Sequence, residues 1–507
     1  MTIGVLPSTV LLEIFSLYVG QPGADEDIWH TLVHVCRQWR FVVFDSPRRL
    51  NLRLLCTPNR PLKMLRLDVW PALPIVIDSR ATGKRPSGMA NIVAALKQHH
   101  RVRKIYIRGI PNSLMKRFAA MKKPFPELTS LELHSDDRNV PILPDSFLGG
   151  SAPRLHTLEL GGIPFPEIRK LLLSSRNLVT FRLWFIPNSG YITPEAVVAC
   201  LSALTGLRSF SLGFRSPQPQ VGRGTRRPPR LTRISLAALT TFTFKGNSEY
   251  LEDVVSQIDA PLLLHFEITF FNQLIFDAPL LRHFVGRTET IKAHYRGNLS
   301  FYDGRAEVMF SPQEGAFHEG LSLGISCAPS DWQLSCLAKV CSSSLPPLST
   351  VEHLKIVSYR SHWQDDIEST QWLELLSPFT SVKDLDLSDG LVPLIAPALQ
   401  ELTGSRVTEV LPILQNLLLD SQELSRPTKQ VIRQFIDARQ RSGLTVSLLL
   451  NKDRMRPRLR IDTSLRPKPR SMTDSIATPM APHPDSFLRR YQGHRESIVS
   501  AFPCPCR

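Results

Sequence analysis

Residues 128–133 read LTSLEL, and the phrase returns at 155–160 as LHTLEL. An earlier form, VRKIYI at 102–107, and later forms LVTFRL (178–183), LRSFSL (207–212), LTTFTF (239–244) and LLHFEI (263–268) keep an apolar residue at the first, fourth and sixth places. Their starts are 26, 27, 23, 29, 32 and 24 residues apart. A weaker match begins at Leu281, and a less regular stretch follows that still offers the strand candidates AEVMF (306–310) and LSLGISC (321–327). The phrase then resumes as VEHLKI (351–356), VKDLDL (382–387) and LQNLLL (414–419), 31 and 32 residues apart. Alternation over the second half of each phrase predicts a short strand with one apolar face.

Between the phrases lie helical patterns: NIVAALKQH (91–99), SLMKRFAAM (113–121), EIRKLLLSS (167–175), PEAVVACLSAL (194–204) and YLEDVVSQI (250–258). The later third adds DWQLSCLAKVCSS (331–343), TQWLELLSPF (370–379), LVPLIAPALQEL (391–402) and TKQVIRQFIDAR (428–439). A unit of helix, turn and strand at this period is the signature of a leucine-rich-repeat solenoid, in which each coil buries its apolar residues against the coils beside it. A closed α/β domain shares the local pattern; the repetition of one phrase favours the solenoid. The expected fold is therefore α/β: a helical N-terminus, then an irregular solenoid over 91–451 with parallel strands on the concave face and helices on the convex one. The segments SPRRLNLRLLCT (46–57) and LDVWPALPIVI (67–77) read as two strands of a bridging, capping coil within 47–90, with Trp70, Pro71 and Pro74 as packing and edge protection.

Upstream, Pro7 stands where a helix would start, and Val10, Leu11, Ile14, Phe15, Leu17 and Tyr18 recur at helical spacing up to Gly20. QPGADED (21–27) is a loop by composition, with Asp27 placed to cap a second helix carrying Trp29, Leu32, Val33, Val35, Cys36, Trp39 and Val42. A unit of roughly 40 residues buries too little surface to stand alone. By periodicity it is equally a cap on its own C-terminal domain and a docking module for another chain.

The particular residues carry more. Leu6-Pro7, then Ile14-Phe15, then Val35-Cys36-Arg37-x-Trp39-Arg40, in that order, resemble an F-box spanning 1–46. The resemblance implies docking onto the Skp-type adaptor, and through it a cullin, by way of Leu6, Pro7, Leu11, Ile14, Phe15, Leu32, Val35 and Trp39. It also implies a non-catalytic subunit of a ubiquitin ligase that brings a client protein to the conjugating enzyme. The repeats lack the Asn or Cys that usually follows the last leucine. They resemble the degenerate repeats of F-box leucine-rich proteins, particularly large fungal families that open with HTLVHVCRQWR…SPRRLNL. Candidate client contacts are the x positions of the strands, expected to be exposed: Arg103, Glu132, Glu159, Arg182, Ser209, Thr241 and Glu267. The rival readings are an interaction scaffold with no ligase attached and an RNA-associated protein.

Composition sets the frame: 507 residues, 42% hydrophobic and 21% charged, suit a multidomain globular chain. No stretch approaches the ~18 apolar residues of a membrane span. The eight cysteines are scattered without paired metal spacing, which fits a reducing, cytoplasmic or nuclear setting. Of the net charge of +16, seven come from the tail after Asn451 and six from the Arg215–Arg233 loop. Both are Pro-rich, low in apolar periodicity and read as disordered, which makes nucleic acid an unfavoured partner despite the charge. Catalytic motifs are missing their essential members. His30 and His34 flank Thr31 where a metalloprotease needs glutamate, VGRGTR around Gly222 and Gly224 lacks a Gly-Lys-Ser/Thr end, and Cys504 with Cys506 supply only two thiols. Asp365, Asp366 and Glu368 form an acidic turn with no placed opposite pair. No catalytic residue, cofactor or metal is assigned.

Overall fold

The computed structural model describes residues 6–20, 28–58, 73–79, 89–217, 233–271, 278–292, 294–312, 319–327, 330–343, 348–360, 363, 367–402, 404–419 and 425–450. Asp27, Trp70, Pro71, most of the Arg215–Arg233 loop and the basic tail lie outside them.

Three helices open the chain: α1 (Ser8–Val19), α2 (Trp29–Val33) and α3 (Arg37–Asp45). Pro7 is the N-cap of α1 and Gly20 its C-cap. The expected second helix is broken in two, because Cys36 takes an extended conformation and its Sγ accepts a hydrogen bond from the backbone N–H of Trp39. That thiol does for α3 what a Ser or Asp usually does at an N-cap. Leu11, Phe15, Trp29, Leu32, Val33, Val42 and Val43 form the core of the unit, and the Phe15 and Trp39 rings meet at 4.7 Å between α1 and α3.

Among the described residues, eighteen strands follow: β1 (Leu54–Cys56), β2 (Ile75–Asp78), β3 (Val102–Ile107), β4 (Ser130–His134), β5 (Thr157–Gly161), β6 (Thr180–Ile186), β7 (Ser209–Phe214), β8 (Ile234–Ser235), β9 (Thr241–Gly246), β10 (Ile258–Asp259), β11 (His265–Phe271), β12 (Arg296–Tyr302), β13 (Arg305–Ser311), β14 (Gly320–Ser326), β15 (His353–Ser358), β16 (Asp384–Leu387), β17 (Asn416–Leu419) and β18 (Ser447–Leu450). Sixteen make one sheet in the order β1-β2-β3-β4-β5-β6-β7-β9-β11-β14-β13-β12-β15-β16-β17-β18, while β8 and β10 pair separately. The chain is an α/β solenoid of the leucine-rich-repeat kind. Each of the ten phrases runs into or through one strand of the large sheet, and every first-, fourth- and sixth-place residue is buried. Each inward side chain contributes roughly 1.5–3 kcal/mol through burial, before the entropy of ordering is subtracted.

Two expectations need correction. Leu281 belongs to the helix Pro279–Arg287, which Pro279 opens at its first turn, and no strand starts there. Leu50 and Leu52 are buried, but the strand is confined to Leu54–Cys56 because the backbone turns through 47–51 and Asn51 holds a φ of 48°.

The less regular stretch is a change of topology. After β11 the chain does not place its next strand alongside. It lays down β12 three positions away, turns through the two-residue loop Asp303-Gly304, and returns as β13, antiparallel to both β12 and β14. Strand β14 then pairs parallel with β11, and β12 pairs parallel with β15. The solenoid resumes on the far side of this three-stranded meander.

Inside the middle coils, the rings of Phe181, Phe210, Phe242 and Phe266 stack in sequence at centroid distances of 5.6, 5.2 and 5.0 Å. Near the end, the fully buried Arg439 donates from Nη2 to the carbonyls of Val407, Val410 and Leu411, pinning the segment between the last two helices. Truncating a ring in the middle of the stack leaves a cavity with a wall on each side. Phe242→Ala is expected to cost about 4 kcal/mol and Phe242→Leu much less, measured as the shift in urea midpoint.

Candidate functional site

Two surfaces combine exposure with defined chemistry. The first is on the N-terminal helices. Val10, Ile14, Leu17 and Tyr18 form an exposed stripe along α1, beside the buried stripe of Leu11 and Phe15. Leu17 is 74% exposed, Phe41 on α3 69% and Val35 between α2 and α3 57%. A 45-residue segment that leaves six large apolar side chains in water presents more than scattered surface leucines. The unit is tied to the coil that follows: Trp29 Nε1 donates to the carbonyl of Arg53 at 2.9 Å, and Arg49 forms an exposed pair with Glu13 of α1.

The residues named for adaptor docking divide accordingly. Pro7, Ile14 and Val35 are exposed and Leu6 and Trp39 half-buried, whereas Leu11, Phe15 and Leu32 are buried inside the unit. These three hold the module together and present no surface. Leu17 and Phe41 were missing from that set. The helical spacing of Leu17 from Val10 and Ile14 was the signal that could have found it.

The second surface is the face of the sheet on which the x residues stand. Glu132, Glu159, Arg182, Ser211, Thr243 and Glu267 lie side by side in one row across β4, β5, β6, β7, β9 and β11. Ser130, Thr157, Thr180, Ser209, Thr241 and His265 form the next row. Of the seven nominated client contacts, Glu132, Glu159, Arg182 and Glu267 thus share the first row and Ser209 and Thr241 the second. Arg103 falls outside both, because it occupies the second place of its phrase, before the paired residues Lys104 and Tyr106. The expected exposure holds for Arg103 alone; Glu159 is buried and the other five are half-buried, since neighbouring strands crowd each position from both sides.

Charge in these rows is paired. Arg182 reaches Glu159 at 3.0 Å and Ser209 Oγ at 3.5 Å. Burial pushes the Glu159 carboxyl above its ordinary pKa, with Arg182 and Arg108 pulling the other way. Farther along, His353 lies between Asp384 Oδ2, 2.6 Å from Nδ1, and the Tyr295 hydroxyl, 2.7 Å from Nε2. Asn416 Nδ2 donates to the second Asp384 oxygen at 2.6 Å, and Lys355 pairs with Asp386 at 3.2 Å. His353, Lys355, Asp384 and Asp386 line a depression of about 150 Å³ across the meander, together with His265, Arg296 and Asn298. Such a surface offers fixed hydrogen-bonding groups to a docked chain.

Among the described residues, no group of three or more His, Cys, Asp or Glu could hold a metal ion. The thiols of Cys56 and Cys341 are pushed up to about 12 by burial, which suits inert core residues. Gly222, Gly224, Asp365, Asp366, Cys504 and Cys506 lie outside the described residues. No helix among the described residues is long and apolar enough to cross a membrane.

Two histidines make the fold acid-sensitive. Burial lowers the pKa of His134 to about 4, with Arg108 adding to the effect and Asp136 opposing it, and burial alone lowers that of His294 to about 4. Between pH 6.5 and 4 the unfolded chain therefore binds protons that the fold does not, and stability falls as the pH drops through that window. Each histidine contributes at most about 3 kcal/mol. His294, whose ring lies 5.0 Å from Phe310, can be replaced by a ring that does not titrate. In His294→Phe, the loss of denaturation midpoint between pH 7 and pH 4.5 should shrink by about half relative to wild type.

No protein family and no curated protein matches the chain. Among solved structures, it is similar to the leucine-rich repeat-containing protein LegL7 from Legionella pneumophila, with 12% sequence identity over 65% of this chain and 97% of that one and a TM-score of 0.28.

Proposed function

We propose that the chain is the substrate-recognition subunit of a cullin-type ubiquitin ligase, in which α1–α3 dock a Skp-type adaptor and the open face of the sheet receives a client protein. The observation that carries this reading is the exposed apolar stripe of Val10, Ile14 and Leu17 together with Val35 and Phe41, on a helical module whose sequence resembles an F-box. Exposed apolar side chains on a short, otherwise well-packed helical unit are what a large obligate or semi-obligate interface requires. The sheet supports the second half: it offers rows of oriented polar side chains and no group poised for chemistry among those described. In this reading ubiquitin transfer belongs to other subunits, and the chain supplies position and effective concentration.

The scaffold alternative rests on the Trp29–Arg53 bond and the buried Leu50 and Leu52, by which the same helices cover the first coil. One module can cap with one side and dock with the other, so the readings part only at the adaptor. Leu17→Asp/Phe41→Asp alters exposed positions and is expected to leave the melting temperature within about 2 °C of wild type, as surface substitutions do. It should abolish co-purification of the adaptor with the full chain, reducing recovery at least tenfold. A folded wild-type chain that fails to recover the adaptor would leave the scaffold reading in its place.

A further inference from the structure

Strand β6 contains an aromatic residue that the fold has turned out of its core. In TFRLWFI (180–186), alternation puts Phe181 and Leu183 inward and would put Phe185 inward as well. Instead the register between β6 and β7 shifts: Leu183 pairs with Leu212 and Ile186 with Phe214, so that Trp184 and Phe185 together face the single residue Gly213. This is a β-bulge, and Ile186 takes the buried position that Phe185 would have filled. Phe185 adopts a φ of 51°, in the left-handed region that a bulky side chain rarely occupies, and is 39% exposed. The two leucines with positive φ among the described residues, Leu148 and Leu411, are buried and have core packing to set against the strain. Phe185 holds a strained backbone to put a large ring at the surface. Strain of this kind persists where surrounding structure imposes it, and it clusters at binding sites.

The surroundings give the ring a purpose. Trp184, half-buried on the open face, stands between Gly161 on β5 and Gly213 on β7. The space above Gly161 is filled, since a Cβ there would lie 2.1 Å from the His134 ring. Gly213 itself is buried: a Cβ there would be in contact with the Trp184 ring at 3.5 Å, the Lys245 Cβ at 3.6 Å and the Leu183 carbonyl oxygen at 3.8 Å. The Trp184 ring and the stem of Lys245 therefore flank it closely, and the Lys245 ammonium lies 5.6 Å from the Phe271 ring. The Arg215 guanidinium comes close to Gly162 at the end of β5, adding a second cation near this edge. Tryptophan, an exposed phenylalanine and flanking cations are the composition of an interaction hot spot.

We propose that the bulge Trp184-Phe185, with Lys245 and Arg215 beside it, forms a client-recognition site for an extended peptide that carries an aromatic or proline ring beside an acidic residue. The ring packs on Trp184 and Phe185, and the carboxylate faces Lys245 and Arg215. The proposal rests on the reading of the open face as the client surface and does not depend on the adaptor.

The test is selection of a phage-displayed random peptide library on the purified full-length chain, followed by affinity measurement of the selected peptides by fluorescence polarisation. Peptides pairing an aromatic or proline residue with Asp or Glu should be enriched. Phe185→Gly and Lys245→Glu should each weaken them at least tenfold. Phe185→Gly should do so with an unchanged or raised melting temperature, since glycine accepts the left-handed backbone without strain; a residue kept for packing would show a fall. As a control off the sheet, Lys429→Glu, at an exposed position of the helix Arg426–Arg441, should leave binding unchanged. Peptides lost in Lys355→Glu but indifferent to the Phe185 and Lys245 variants would overturn this site and keep the open face as the client surface. Selection of basic peptides, or of none above background by a folded chain, would also overturn it. Recovery of the adaptor, measured on the same preparations, reports separately on the ligase reading.

Discussion

Each coil of this chain hides its apolar side chains only against the coil before it and the coil after it, and the end coils lack one of those neighbours. Everything else in the architecture answers to that constraint. At the start, Leu50, Leu52 and Leu54 are all buried, and the Trp29 indole of α2 is bonded to the backbone just ahead of β1. At the other end the constraint shows undisguised. Leu448 on β18 is in register with Leu417, which is fully buried, and is itself 42% exposed because no described strand follows. A module that caps one end of a solenoid has its inner side fixed by packing and its outer side left free for another role. The apolar stripe on α1 is on the free side.

The meander of β12, β13 and β14 is the one place where the stacking rule is met in a different way. Each strand still buries one face on the common core: Leu299, Phe301, Val308, Phe310, Leu321 and Leu323 are all buried. Parallel neighbours on both flanks are preserved, so the solenoid continues across the interruption. The cost falls on the open face, where the repeating rows give way to longer, mixed side chains, and the depression is found there. The Tyr295–His353–Asp384–Asn416 chain of hydrogen bonds at its border fixes those side chains in place.

How much of this could be read from sequence follows the same division. The phrase L-x-x-L-x-L located its strands because one inward alternation and one period are enough to define a coil, and the intervening helices came with it. Leu281 was misplaced because a helix with Leu281, Phe284 and Val285 inward satisfies the first and fourth places of the phrase as well as a strand does. The meander was missed for a different reason. Asp303-Gly304 between two alternating runs is a strong local hairpin signal, but nothing local reveals that the hairpin inserts backwards between β14 and β15. The break after Val33 was hidden because a cysteine is an uncommon N-cap. Exposure was the least legible property. Among the adaptor residues, family positions do not distinguish Phe15, which braces the module, from Leu17, which it presents. Among the strands, an x position in the middle of a wide sheet is shielded by its neighbours.

On the proposed reading, the chain acts through the distance it imposes between a client and an adaptor. Strands in a sheet are spaced by about 4.8 Å, so β6 and its bulge lie roughly 25 Å along the sheet from β1, and the far end of the sheet roughly 70 Å. Since Trp29 is tied to the first coil, a client held at β6 and an adaptor held on α1 are separated by a span set by five strand-to-strand steps. None of these steps contains a described break in the parallel ladder apart from the single register shift after Ile75. Effective concentration at a distant transfer site depends on the stiffness of such a connection as much as on its length. A client bound beyond the meander would be held through two antiparallel pairings and a longer span. On the proposed reading, the first half of the open face is therefore the better place for recognition, and the strained Phe185 stands in it.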